Sequence, residues 1–143
     1  MPMDFFSAME VSASGLAAER TRMNVAASNL ANAQTTQTAE GGPYKRKSVV
    51  LQSVELSGAE RTADGQAVSG VKVQQIAADN AAPRMEYDPG HPEANAQGYV
   101  AYPNVNPVEE MVDMITASRA YEAGVTARST AVSMAQSALG IGK

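Results

Sequence analysis

His91 is the chain's single histidine and lies in the turn Pro89-Gly90-His91-Pro92. With Asp88 and Glu93 it forms the one arrangement with the look of a metal-ligand set. That donor set is thin, because zinc sites draw on several Cys or His ligands and the chain has no cysteine. A Ser-His-Asp relay would rest on the same loop histidine. Glu109 and Glu110 are adjacent acids, but at about 3.6 residues per turn neighbouring helix positions diverge and do not converge on one substrate. Acid at the start of a helix favours its dipole, which accounts for the pair without chemistry. Gly41-Gly42 precedes Pro43 and an extended segment, so no helix N-terminus follows to hold a phosphate. Catalytic, cofactor-binding and metal-ligating residues are therefore expected to be none.

The one basic run is Lys45-Arg46-Lys47. On a strand it is either a solvated edge that blocks unwanted pairing or a docking surface for an acidic neighbour. Nucleic acid is not an expected partner, because the net charge is −4 and counterion displacement needs a surplus of Lys and Arg. Disulfides are excluded. No run of about 18 apolar residues predicts a membrane span, and no basic segment followed by an apolar run predicts a cleaved secretory signal.

The elements that must position these residues are two long helices around a thin middle. Of the 143 residues 44% are hydrophobic, but aromatics make only 5% and Trp is absent. Burial stabilises by about 25 cal/mol per Å² of apolar surface, and alanine brings little area, so a solitary core would be weak. Residues 3–33 read as one helix, with Phe6, Met9, Ala13, Leu16, Arg20, Met23, Ala27 and Leu30 stepping by three and four. Gly15 inside it suggests a close neighbour or a bend. Asn24, Ser28 and Asn32 form a polar stripe, either a solvated face or a set of hydrogen bonds to an adjacent subunit.

Residues 34–43 read as a loop, 44–56 as a strand, 57–67 as a link or hairpin tip, and 68–78 as a second strand. Residues 84–88 and 99–102 read as short extended pieces around a turn-rich loop. The last helix starts at Asn106 as N-cap with Pro107 at the first helical position. It runs to about Leu139, where Gly140 and Gly142 stop it. Its seam is Met111, Met114, Ser118, Tyr121, Val125, Arg128, Val132, Ala135 and Leu139. Ala123, Ala127, Ala131 and Ala135 stack at spacing four, which permits close helix approach. Arg20 and Arg128 interrupt the seams. Either their stems pack while the guanidinium reaches the edge, or they form inter-subunit ion pairs with acids such as Glu10, Glu19, Asp113 or Glu122. The fold expected is mainly α: N- and C-terminal helices with a small antiparallel β insertion between them. Its parts are 1–38, 39–103 and 104–143, the first and last forming one helical core.

Several segments have a familiar order. Ser14-Gly15-Leu16-Ala17-Ala18, Met23-Asn24-Val25 and Ser28-Asn29-Leu30-Ala31-Asn32 resemble the N-terminal motif of flagellar axial proteins of the rod and hook. Asn106-Pro107-Val108-Glu109-Glu110-Met111-Val112-Asp113-Met114 and Ser118-Arg119-Ala120-Tyr121-Glu122-Ala123 resemble their C-terminal helix. The piece from Tyr87-Asp88-Pro89 through His91-Pro92 to Gly98–Asn106 is similar to proximal-rod members of that family. The likeness covers nearly the whole chain.

The resemblance implies a structural subunit of the proximal rod, not an enzyme. Its terminal helices would pair as a coiled-coil-like hairpin and stack helically around an export channel, transmitting torque from the motor ring towards the distal rod and hook. The implied partners are copies of itself, other rod subunits, the type III export apparatus during secretion, and the motor-ring base and surrounding rings. The implied location is the basal-body rod crossing the periplasm, reached without a cleaved signal peptide. The seam residues and Asn24 would form the helix-packing interface, and Lys45, Arg46 and Lys47 a neighbour-docking site. Two rival readings are a cell-wall hydrolase, which needs convergent carboxylates that the sequence does not offer, and a soluble adaptor or export chaperone, which predicts a folded cytoplasmic species.

Overall fold

The computed structural model describes residues 5–56 and 67–141. The expected link at 57–67, apart from Ala67, lies outside the described residues, as do residues 3–4 and Gly142. The order of elements is α1 (Phe5–Ala31), β1 (Lys47–Glu55), β2 (Ser69–Ala78), β3 (Arg84–Tyr87), β4 (Tyr99–Tyr102) and α2 (Pro107–Ile141). In chain order, two long helices thus flank two small two-stranded sheets, β1–β2 and β3–β4.

α2 begins as its sequence dictates. Asn106 Oδ1 accepts the Val108 amide at 3.1 Å, and the Asn106 carbonyl accepts Glu110 N–H at 3.1 Å, so the cap satisfies donors the first turn would leave orphaned. The helix then runs 35 residues, roughly 50 Å at its standard rise, and passes through Gly140 instead of stopping there. α1 ends in a ladder of turns. Asn32 Nδ2 donates to Ser28 O at 2.9 Å and Thr35 Oγ1 donates to Asn32 Oδ1 at 3.2 Å, so the Asn32 side chain of the expected polar stripe closes its own helix.

Strand β1 starts three residues later than its composition suggests. Tyr44 N–H is bound to Thr35 O at 3.0 Å, which keeps Tyr44, Lys45 and Arg46 in the turn that follows α1 and leaves only Lys47 of the basic run on the strand. Bonds from Leu56 N to Val68 O (3.0 Å) and from Asp79 N to Arg46 O (2.7 Å) close the β1–β2 ribbon antiparallel at either end. β3 and β4 pair antiparallel with Arg84 opposite Tyr102 and Tyr87 opposite Tyr99. The two tyrosine rings meet edge to face at 5.3 Å. Gly98 makes that corner possible: its φ is +83°, and a Cβ there would sit 2.8 Å from Tyr87 Cε2.

The chain divides into two compact units. One gathers the described residues of 1–21, 51–74 and 116–143. Its buried residues among those described are small: Ala18, Val68, Gly70 and Ala117. Ser14 Oγ donates to Val11 O at 2.7 Å and accepts Val71 N–H at 3.0 Å, so a helical serine stands in for a neighbouring strand on β2. Gly124 faces Leu16 so closely that a Cβ would lie 2.8 Å from Leu16 Cδ2.

Gly15, expected to mark a close neighbour or a bend, has open space where a Cβ would stand. Gly15→Ala should therefore stabilise the isolated chain by about 0.5–1 kcal/mol through helix propensity. A thermal melt that falls instead would mean that something packs against it. The second unit holds Arg22–Val50 and Gln75–Ile115, with Ala26, Ala33, Val100, Pro103 and Val105 buried.

Candidate functional site

Within the second unit, two of the four largest fully buried side chains are polar, Glu110 and Asn29, each 1% exposed. Such groups persist inside only when their hydrogen bonds are made. Here they are. Asn29 Nδ2 donates to Lys47 O at 2.8 Å and to Glu110 Oε2 at 2.9 Å. Asn29 Oδ1 accepts Lys47 N–H at 2.9 Å and the Tyr44 hydroxyl at 3.0 Å. An Asn carboxamide has two donors and two acceptor lone pairs, and all four are used. Because one backbone residue presents both its N–H and its C=O to it, the amide has one workable orientation. The side chain behaves as a fragment of strand paired to the first residue of β1.

Glu110 joins this amide to the basic run. Its Oε1 takes Arg46 Nε–H at 2.5 Å, and Asp113 Oδ2 lies 3.8 Å from the same guanidinium. The Arg46 side chain is 28% exposed against 2% for Glu110. Arg46 is held above the ordinary arginine range. The hydrogen bond to Glu110 raises it most, partial burial opposes this, and the charges of Glu110, Asp113 and Glu109 add to the rise. A base raised on folding contributes stability that is present below its unfolded value and lost only as pH climbs through the folded one. The cation therefore persists through the acid and neutral range. Lys47 Nζ sits 5.9 Å from the centre of the Tyr44 ring, and Ser28 Oγ lies 3.4 Å from the Tyr44 hydroxyl.

This junction positions backbone; it does not turn over substrate. Its carboxylate is committed to an arginine and an amide, so no base is poised for proton transfer. The groove beside it, about 180 Å³, is walled by Val25, Ala26 and Val49 as well as the charged residues. His91 Nδ1 accepts Glu93 N–H at 3.2 Å and the ring stands edge-on to Tyr102 at 6.3 Å, in a turn between β3 and β4.

The seam residues are divided. Phe6, Ala13, Arg20, Asn24, Ala27, Met111, Val125, Arg128 and Leu139 are exposed, and Met9, Leu16, Met23, Leu30, Met114, Ser118, Tyr121, Val132 and Ala135 are half-buried. The fully buried positions of the helices are Ala18, Ala26, Asn29, Glu110 and Ala117. Leu16 is brought against Gly124. Of the basic run, Lys45 and Lys47 are exposed and Arg46 is turned inward. Asn29, Tyr44 and Glu110 are site residues that sequence reasoning misses. An asparagine three or four positions from buried alanines is the only local signal for Asn29, and Glu110 has none beyond its place in the first turn.

Comparison with known proteins agrees with the helical ends. Residues 9–37 match the profile of the flagella basal body rod protein family, and residues 96–141 match the C-terminal profile of the flagellar basal body rod FlgEFG proteins. The chain is 45% identical to the flagellar basal-body rod protein FlgC of Bacillus subtilis (strain 168), across 99% of this chain and 100% of that protein. It is 41% identical to FlgC of Borreliella burgdorferi across 97% and 98% of the two chains, and 41% identical to FlgC of Salmonella typhimurium across 99% and 100%. The chain belongs to the flagellar basal-body rod protein FlgC family. It is thus a structural protein of the flagellar basal body rod, not an enzyme, and its partners include other rod components. Among the described residues no helix is long and apolar enough to cross a membrane.

Proposed function

We propose that the chain packs helically with copies of itself and other rod subunits in the proximal rod, around a central export channel, and passes motor torque towards the distal rod and hook. In this reading α1 and α2 pair as a coiled-coil-like hairpin, with 1–38 and 104–143 as one helical core. Each compact unit has its own α1–α2 contact, Leu16 with Gly124 in one and Asn29 with Glu110 in the other, which supports the pairing. The chain crosses the periplasm as part of the rod and gets there through the type III export apparatus without a cleaved signal. There it meets the motor-ring base and surrounding rings.

The observation that carries the reading is the apolar surface left on the helices: Phe6 is 76% exposed, Val125 45% and Leu139 76%. Apolar side chains of this size left exposed on a helix are surface that a neighbouring helix can bury. Seam residues repeated between subunits would resist twist by packing.

Deleting residues 107–143 should abolish incorporation into basal bodies. Because that deletion also removes Glu110, Leu139→Asp separates assembly from folding. The purified variant should melt like the parent while its recovery in isolated rods falls about tenfold or more, since burying a charge in an apolar contact costs several kcal/mol. Normal rods built from either variant would overturn the assignment.

A further inference from the structure

Resting on that reading, we propose a particular contact between copies: an aliphatic ridge at the start of α2 in one copy fills an apolar groove in the second unit of the next. The groove holds about 160 Å³ and is walled by Pro43, Tyr44, Ala81 and Pro83, with Lys45, Asp79 and Arg46 also lining it; the Arg46 guanidinium is bound to Glu110 of its own chain. The Asp79 carboxylate is turned to the Ala81 amide, 2.8 Å away. Lys45 Nζ, among the described residues, reaches a neutral oxygen, Asn80 Oδ1, at 3.4 Å. With Arg46 held by carboxylates of its own chain, the groove offers an apolar floor with Lys45 as the cation beside it.

The ridge has the complementary character. Val108, Met111 and Ile115 are 63%, 41% and 53% exposed, and steps of three and four place them on one helix face. Exposed acids, Glu109 and Asp113, flank them. A branched aliphatic side chain suits the size of the groove, and Glu109 beside Val108 supplies the charge that Lys45 lacks.

Ridge and groove belong to the same unit, yet no ridge residue lines the groove. One copy does not fill its own groove, so the contact is heterologous. It leaves a ridge free at one end and a groove free at the other, the geometry that repeats into a ring or a helical array. Opposite charges across such a contact fix register and exclude other pairings.

The cysteine-free chain permits a direct test by disulfide trapping, which needs Cα atoms within about 7 Å. Full-length Val108→Cys and Pro83→Cys chains are mixed and oxidised. A Ser137→Cys chain, altered at an exposed position of α2, replaces the Val108→Cys chain as control. The 83–108 disulfide should form at about ten times the yield of the 83–137 disulfide. Glu109→Lys on the ridge chain should lower it about tenfold, and Lys45→Glu on the groove chain should restore it. Equal yields for 108 and 137, or indifference to the charge reversals, would overturn the pairing. Rod recovery with Leu139→Asp is read separately. Trapping that succeeds while Leu139→Asp still enters rods would sink the rod reading of the helices alone, and the opposite pair of results would sink this contact alone.

Discussion

Glu110→Ala is expected to lower the unfolding free energy of the isolated chain by about 3–5 kcal/mol, the usual cost of removing one partner from a buried ion pair. The loss has two physical parts. Arg46, only 28% exposed on its side chain, keeps a cation with no buried carboxylate against it, left with Asp113 at 3.8 Å and the more distant charge of Glu109. Asn29 Nδ2 loses the acceptor at 2.9 Å and keeps Lys47 O. A small domain is stable by about 5–15 kcal/mol in total, so this single change should move the urea midpoint far, with the denaturant slope unchanged. Glu110→Gln should cost less, because an amide oxygen still accepts from one neighbour while the charge is gone. Replacing both charges, Arg46→Met with Glu110→Leu, should recover part of the loss, since a buried pair often only matches well-packed apolar groups. A Glu110→Ala chain within about 1 kcal/mol of the parent would mean that the junction contributes little.

Why this junction is not legible in the sequence follows from its residues. The helices announce themselves. Asn106 and Pro107 mark the start of α2, which is where the cap hydrogen bond lies, and the steps of three and four in large side chains mark both spans. The β-branched and apolar run at 44–56 and the alternation around Val71 and Val73 within 68–78 mark two strands, and the alternation around Met85 and Tyr87 marks a third.

What periodicity does not reveal is the side of each helix that faces inward. The buried positions are Ala18, Ala26 and Asn29 on α1 and Glu110 and Ala117 on α2. A seam drawn through the largest apolar residues passes beside them, because close approach selects small residues and one satisfied polar pair, not bulk. Asn29 and Glu110 are 81 positions apart, and Arg46 is reached from neither by any helical or strand spacing. Only the fold brings the three together. Helix-start electrostatics suffice for Glu109 and are incomplete for Glu110, a carboxylate that is 1% exposed.

Asn29→Asp should be at least as damaging as Glu110→Ala, with a different signature. An ionised carboxylate only accepts. It could still take Lys47 N–H and the Tyr44 hydroxyl, but both donations, to Lys47 O and to Glu110 Oε2, vanish. In their place two carboxylates would face each other inside the protein, where like charges and missing solvent act together. The expected loss is about 4 kcal/mol or more, from a buried carbonyl left without its donor and the repulsion combined.

Hydrogen exchange localises the effect. The Lys47 amide, still bonded in the Asn29→Asp variant, should lose protection because the end of β1 is no longer held on both its N–H and its C=O. Pairing the variant with Glu110→Gln tests the repulsion itself. The amide introduced at position 110 can donate to the carboxylate introduced at position 29. The double variant should therefore be more stable than Asn29→Asp alone, with a coupling of about 1–3 kcal/mol in the double-mutant cycle. Strictly additive losses would show that the two side chains act independently, and that Asn29 serves β1 without serving α2.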